Sequence, residues 1–285
     1  MTYIYTIYLI LSVLITLLLN NFYGVFTSTH SWWSAPLLLV GIFLSLVIIQ
    51  LLLLVAIIIT TSLKKPVSMK RTRFFRAVLN ASLTPVLRLL GIRITFEGSE
   101  LLPKDTRLLF LCNHQHDFDP AIILSCFPDS EIAFIGKKEI YTEMKFVARA
   151  MHALRSLPID RESDREAAKT IIKAINTIKN DEASIAIFPE GYTNLTPEKG
   201  LLPFRNGSLK IATKSEAPIA VCIINNTRKI PKNLFIRKTP IYFRLVRVIY
   251  PEEYKDLNTQ ELGDIIHKEM ENALNSIPQN KKSGS

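Results

Sequence analysis

Apolar and polar positions fall into three regimes along this chain. Residues 1–63 carry no Lys, Arg, Asp or Glu, and two apolar runs dominate them, Tyr3 to Leu19 and Leu37 to Ile59, parted by the polar and aromatic stretch NNFYGVFTSTHSWWS. A helix needs about 20 apolar residues to cross the hydrocarbon core, with roughly 17 as the lower limit. The second run meets that length, and the first sits at the limit, so length leaves open whether it spans the bilayer or dips into one leaflet. Backbone groups in lipid must be satisfied within the segment, which predicts a membrane-embedded helical hairpin with Trp32 and Trp33 at the boundary of lipid and water. A secretory signal is the competing reading of the first run, but it has no basic leading region and no clear small-residue cleavage site.

From Lys70 to Leu90 the period changes. Arg76, Asn80, Thr84 and Arg88 recur every four residues while Phe75, Val78, Leu79, Val86 and Leu90 fill another face, predicting an amphipathic helix bent near Pro85. It would lie on the bilayer or pack over the following domain. Beyond Gly91, β-prone runs alternate with helical patterns. Strands are predicted at IRITFEG, RLLFLC, EIAFIG, ASIAIF, PIAVCII and IYFRLVRVIY, with helices starting near Pro120, Lys138, Asp164 and Gly207 and a last one from Thr259 to Ser276. Apolar strands separated by helices predict an α/β fold, a mixed and largely parallel sheet flanked by helices, whose loops carry the chemistry. The chain thus divides into a hairpin (1–63), a basic amphipathic helix (64–91), a globular domain (92–278) and a polar, disordered tail (279–285).

Charge sharpens this division. All 60 formal charges, 35 basic and 25 acidic, lie in the 222 residues after the hairpin. Lys64, Lys65, Lys70, Arg71, Arg73 and Arg76 crowd its exit, which by the positive-inside bias puts this flank and the domain on the cytoplasmic side; the cluster either marks topology alone or also binds anionic headgroups. That membrane accounts for the basic excess, and no nucleic-acid recognition motif is present. Cys112, Cys126 and Cys222 lie in apolar surroundings without C-x-x-C pairing, as small core residues of a reducing compartment.

The chemistry-bearing stretch is LCNHQHDFDP, Leu111 to Pro120, between a predicted strand and a helix opened by Pro120. Three readings compete. Asp119 suits an N-cap before Pro at the first helical position. Alternatively His114 is a general base whose tautomer and charge are held by Asp119, five residues on. A metal site would need further ligands, and only His30, His152 and His267 remain. Three other stretches bear on the choice: RSLPIDR closes a predicted strand with a charged pair, IFPEGYTN turns sharply around Glu190, and PFRNGS sets Arg205 before a Gly at a helix start, where free amides can hold an anion.

In this order the blocks resemble the glycerolipid acyltransferases typified by 1-acyl-sn-glycerol-3-phosphate acyltransferase, over roughly Ile92 to Tyr250. N-H-x-x-x-x-D stands as Asn113, His114 and Asp119, the second block as PIDR with Asp160 and Arg161, F-P-E-G as Phe188 to Gly191, and the apolar fourth block as APIAVCIINNT; the intervening Lys-Lys-Glu appears in GKKEI. The resemblance implies a membrane enzyme that moves an acyl group from acyl-CoA or acyl-ACP, as co-substrate, to the hydroxyl of a lysophospholipid, 1-acyl-glycerol-3-phosphate giving phosphatidic acid. It implies no cofactor, no metal and no acyl-enzyme. His114 and Asp119 would be catalytic, and Asn113, Lys137, Arg161, Glu190, Gly191 and Arg205 would bind substrate. His116 and Asp117 would be loop residues. The family usually reads E-G-T-R; here Tyr192 and Thr193 follow Gly191, and neither gives a bidentate fork for phosphate. Arg205 would compensate, or the acceptor would be a lysophospholipid with a larger headgroup. A membrane-anchored metallohydrolase and a non-enzymatic lipid-binding protein stand as alternatives from other classes.

Overall fold

Both N-terminal apolar runs satisfy their backbone as helices, α1 (Thr2–Tyr23) and α2 (Ser34–Thr60), which pack along each other. The computed structural model describes residues 2–23, 34–63 and 66–277; Trp32, Trp33, Lys64, Lys65 and the tail expected to be disordered lie outside them. Among the described residues only α2 holds a stretch long and apolar enough to cross a membrane, the 23 residues Leu38–Thr60, while the apolar part of α1 is Thr6–Leu19. Hydroxyls within these helices return to their own backbone: Ser12 donates to Tyr8 O and Thr16 to Ser12 O, both at 2.7 Å.

The amphipathic helix is α3 (Met69–Leu89), started by Ser68, whose hydroxyl accepts the Arg71 amide. It runs antiparallel to α2. Near one end Arg71 Nη2 donates to Thr60 Oγ1 at 2.9 Å, and further along Gln50 Nε2 donates to Ser82 Oγ at 2.7 Å. Two of the four regularly spaced polar residues point into the protein. Arg76, 6% exposed, gives Nη1 to Ser130 O at 3.1 Å and Nη2 to Ile132 O at 2.8 Å, and Asn80 donates to Pro128 O. Burial pulls the Arg76 guanidinium down to about 10. Of the two placements open to this helix, it packs over the domain, gripping it with part of its polar stripe.

The domain continues through β1 (Ile92–Glu97), β2 (Leu109–Cys112), α4 (Asp119–Cys126), β3 (Ile132–Lys137), α5 (Lys138–Glu143), α6 (Lys145–Ala153), β4 (Leu157–Ile159), α7 (Asp164–Lys179) and β5 (Ser184–Ile187). After a loop of irregular turns come α8 (Lys210–Ser215), β6 (Ile219–Asn225), α9 (Ile230–Asn233), β7 (Thr239–Ile249), α10 (Pro251–Tyr254) and α11 (Thr259–Asn275). The helix expected from Lys138 breaks at Met144 into α5 and α6, and the one expected near Gly207 is a 3-10 turn leading into α8.

One seven-stranded sheet has the order β1-β7-β6-β2-β5-β3-β4. Every neighbouring pair is parallel except β6 and β7, so β1 and β7 run against the other five. Alternate strand residues point to opposite faces. Phe110, Cys112, Phe134 and Cys222 meet α3, α4 and α6 on one side, with Ile57 and Ile58 of α2 joining them. Leu109, Leu111, Ile185 and Val221 meet α7, α8 and α11 on the other. Pro158, without an N–H, is tolerated because β4 is an edge strand. The carboxyl ends of five co-directional strands form one edge, the place where ligands bind in open α/β sheets.

Gly98, at φ +83° after β1, lets the chain pass so close to β7 that a Cβ would lie 2.2 Å from Leu245 O. Gly98→Ala is expected to cost about 2–4 kcal/mol, the sum of a left-handed backbone penalty and overpacking. Thermal unfolding in detergent checks this, and an unchanged melting temperature would contradict the packing of β1 on β7.

Candidate active site

Beyond Cys112 the chain turns through Asn113 to Phe118 before entering α4. Asn113 is fastened at both ends of its amide: Nδ2 donates to Ile224 O at 2.9 Å, and Oδ1 accepts Ile224 N at 2.8 Å. The side chain expected to touch substrate is thus spent on pinning the loop to β6.

Asp119 begins α4 but does not cap it; Phe118 occupies the N-cap position, and no side chain bonds the first turn. The carboxylate instead turns back on the loop. Its Oδ2 accepts Gln115 N at 2.7 Å and His116 N at 2.9 Å, and lies 2.8 Å from His114 Nδ1. Asp119 is fully buried and His114 is 14% exposed. An oxygen already accepting two hydrogens acts as an acceptor towards the imidazole as well, so the shared hydrogen sits on Nδ1 and Nε2 keeps a free lone pair. The ring is held flat against Phe188, with centroids 4.1 Å apart and planes 15° apart.

A second buried carboxylate organises the next loop. Glu190, 2% exposed, accepts His114 N through Oε1 at 2.8 Å and Leu202 N through Oε2 at 2.8 Å, with Asn194 Nδ2 at 3.3 Å from the same oxygen. Burial pushes its carboxyl up from the ordinary glutamate range, while these donors pull the other way. Asn194 N returns to His114 O at 2.7 Å, so the β2 and β5 loops are laced together. Gly191, at φ +75°, lets Arg205 pass; a Cβ there would sit 2.8 Å from Arg205 Cδ and Nε.

Beside this frame lies a cavity of 670 Å³, within the roughly 300–1,000 Å³ of small-molecule sites. Its walls are apolar: Ile135, Ile159 and Ile187 from strand ends, Ala168, Ile171 and Ile175 from α7. Phe188 belongs both to this wall and to the His114 stack, so its ring connects the imidazole to the cavity wall. Arg161, Gly191 and Arg205 also line it. The guanidinium carbons of Arg161 and Arg205 lie 5.3 and 5.0 Å from the Tyr192 ring centroid, and Arg205 Nη2 donates to Tyr192 Oη at 2.9 Å. Burial, then the like charge of Arg205, pulls the Arg161 guanidinium below its ordinary value. Two cations lining one cavity favour an anion in it.

Lys137 does not line the cavity; it ends β3 half-exposed and faces Glu139 at 3.6 Å. Asp160 is engaged by Lys138 at 3.0 Å. His116 stacks on Phe118 at 5.6 Å, and His267 packs against Phe204. No group of three or more potential metal ligands converges among the described residues. Cys112, two residues before His114, is buried with its thiol pushed well up, so it offers no thiolate nucleophile.

Sequence reasoning missed Phe188 as the stacking partner, Asn194 as a lacing residue and α7 as a cavity wall. The last had a signal. Apolar residues occupy two faces of α7: Ala174 and Ile178 meet the sheet, and Ala168, Ile171 and Ile175 meet the cavity.

A model of the Acyltransferase family matches residues 93–225. The chain is 30% identical over 200 residues to a 1-acyl-sn-glycerol-3-phosphate acyltransferase of Borreliella burgdorferi, covering 68% of this chain and 78% of that protein. It is 24% identical over 192 residues to the Saccharomyces cerevisiae protein of that name and 30% over 183 residues to that of Cocos nucifera. These matches cover 66% and 63% of this chain, and span 61% and 57% of the two relatives. The crystal structure of the 1-acyl-sn-glycerophosphate (LPA) acyltransferase of Thermotoga maritima has the same fold, with a TM-score of 0.60 and 23% identity over 72% of this chain and 80% of that one. With the ordered sequence blocks meeting at one sheet edge and these similarities alongside, the chain belongs to the glycerolipid acyltransferase family.

Proposed function

We propose that this chain is a membrane-bound O-acyltransferase that moves a fatty acyl group from the thioester of acyl-CoA or acyl-ACP to the free hydroxyl of 1-acyl-glycerol-3-phosphate, giving phosphatidic acid. The observation that carries this reading is the imidazole of His114, fixed through Nδ1 by buried Asp119 and stacked on Phe188, a wall of the apolar cavity that Arg161 and Arg205 also line. The names of the relatives point the same way.

Nε2 of His114 takes the proton of the acceptor hydroxyl as its oxygen attacks the thioester carbonyl carbon. Asp119 keeps the proton-accepting nitrogen on the correct side and stabilises the imidazolium that forms. Collapse of the tetrahedral adduct breaks the carbon–sulfur bond, and the leaving thiolate takes the proton back from His114. The products are an ester and a free thiol, and the enzyme returns to its starting state without becoming acylated. The apolar cavity takes the acyl chain, and Arg161 and Arg205, which both line it, meet the acceptor phosphate, Arg205 supplying the second guanidinium. Glu190 and Gly191 hold that mouth in shape.

Membrane attachment belongs to the same reading. Both substrates are amphiphiles, and the apolar α2 places the domain where they partition. The basic flank after the hairpin orients the domain towards the cytoplasm.

An acyl-transfer assay on detergent-purified protein, offering a labelled acyl-CoA or acyl-ACP to lysophosphatidate and to lysophosphatidylcholine, tests the proposal. His114→Ala is expected to abolish turnover. Asp119→Asn should lower kcat by about 10²–10⁴-fold with little change in KM. Near-native turnover in His114→Ala would sink the mechanism. Arg161→Ala or Arg205→Ala should raise KM for lysophosphatidate by roughly 10–100-fold, the worth of one charge-assisted hydrogen bond, and leave lysophosphatidylcholine less affected. A wild-type preference for lysophosphatidylcholine would transfer the reading to an enzyme acting on headgroup-bearing acceptors.

A further inference from the structure

Leu89, Phe235 and Ile236 are the most exposed large apolar side chains among the described residues, at 78%, 75% and 78%. They are far apart in sequence and close in the fold. Thr239 N donates to Gly91 O at 2.8 Å, and a Cβ on Gly91 would lie 2.9 Å from Arg237 O, so the end of α3 abuts the turn before β7. That turn is closed by Ile236 N and Arg237 N, which both donate to Asn233 O, at 2.9 and 2.8 Å. Phe235 sits there at φ +61°, a backbone region that bulky residues avoid.

The surrounding charge has one sign. Residues 227–238, TRKIPKNLFIRK, contain five Lys or Arg and no Asp or Glu, and Arg228, Lys232, Arg237 and Lys238 are exposed. Arg88 and Arg93 stand exposed on the neighbouring side, where Arg93 Nη1 donates to Arg88 O.

Topology fixes the direction in which this patch faces. β1 and β7 run against the other five strands, so their amino ends lie at the same edge as the carboxyl ends of β2 to β6, where His114 stands. The helix α2 is antiparallel to α3, meeting it at Arg71 near Thr60 and at Ser82 near Gln50. Seven residues separate Ser82 from Leu89, about 10 Å at 1.5 Å per residue, so α2 draws level with Leu89 near Phe43. Its earlier residues lead onward past this edge. The apolar patch, the first turns of α2 and the site therefore share one side of the molecule, while Gln50 to Thr60 run back along α3 away from it.

We propose that the β6–β7 loop and the end of α3 insert into an anionic bilayer surface and seat the edge bearing the site against it. Phe235, Ile236 and Leu89 enter the boundary between headgroups and acyl chains, and the flanking cations meet lipid phosphates. An acidic carrier protein would use the cations but give the three apolar side chains nothing to bury, so the bilayer is the better fit. The inference takes from the proposed function only that α1 and α2 lie in a membrane.

The test uses the full chain in nanodiscs of phosphatidylcholine with or without phosphatidylglycerol. An environment-sensitive dye is attached, in a Cys126→Ser background, to Ile236→Cys, to Leu44→Cys in α2, or to Asp129→Cys at the opposite sheet edge. At 236 the emission is expected to shift to the blue and to be quenched by brominated lipid, as at 44, while 129 stays aqueous. Arg237→Gln and Lys238→Gln should each lower the inserted-to-free ratio about fivefold in anionic discs. An aqueous spectrum at 236 with a lipidic one at 44 would overturn the patch alone. Aqueous spectra at both would overturn the membrane reading with it. A shift at 236 caused by an acidic carrier protein and not by lipid would replace the bilayer with that partner.

Discussion

Oδ2 of Asp119 accepts hydrogens from two backbone amides and faces a third on the imidazole of His114, with none of the side chain exposed. Burying a carboxylate is costly without donors, and here the loop supplies all of them to Oδ2, while Oδ1 is buried without a hydrogen-bond partner. Folding the loop around the carboxylate therefore orients the imidazole in the same act. Glu190 repeats the device one strand away, gathering amides from the β2 loop and from the segment leading to Arg205. The position of Arg205 over Tyr192 in turn depends on that segment passing closely over Gly191.

The same logic joins the apolar helices α1 and α2 to the domain. Along α3 a few polar side chains reach both ways: Arg71 and Ser82 to α2, Arg76 and Asn80 to the start of β3 and the turn before it. Buried polar groups are costly unless matched, which makes these contacts selective where apolar packing alone would permit sliding. The angle at which the hairpin leaves the domain is thereby fixed.

Much of this was legible in the sequence because it is local. Period and charge gave both hairpin helices, α3 and six of the strands, and the pairing of His114 with Asp119 needs only a short loop between them. Much of what was missed depends on partners distant in sequence, though the choice between cap and pair at Asp119 is local. Asn113 reads as a motif residue, but Ile224, 111 residues on, decides what it holds. Asp before Pro reads as a helix cap, yet amides upstream claim the carboxylate. A polar stripe on α3 reads as a wet face, since nothing nearby announces that free carbonyls at Ser130 and Ile132 await Arg76. The break at Met144 has neither Gly nor Pro to mark it.

The reversed strand pair also orders events in time. β1 is the first strand to leave the ribosome, yet within the sheet it bonds only to β7, the last, with Ile92 opposite Thr239. Until nearly all of the domain has been synthesised, β1 stays tethered to the hairpin helices without a neighbour, an open edge. Its register is then set by a contact of very high sequence separation, the kind that forms slowly. Assembly of the sheet is thus completed by the segment that carries the basic loop and β7, and a chain interrupted before that segment would expose an unpaired strand beside the hairpin helices.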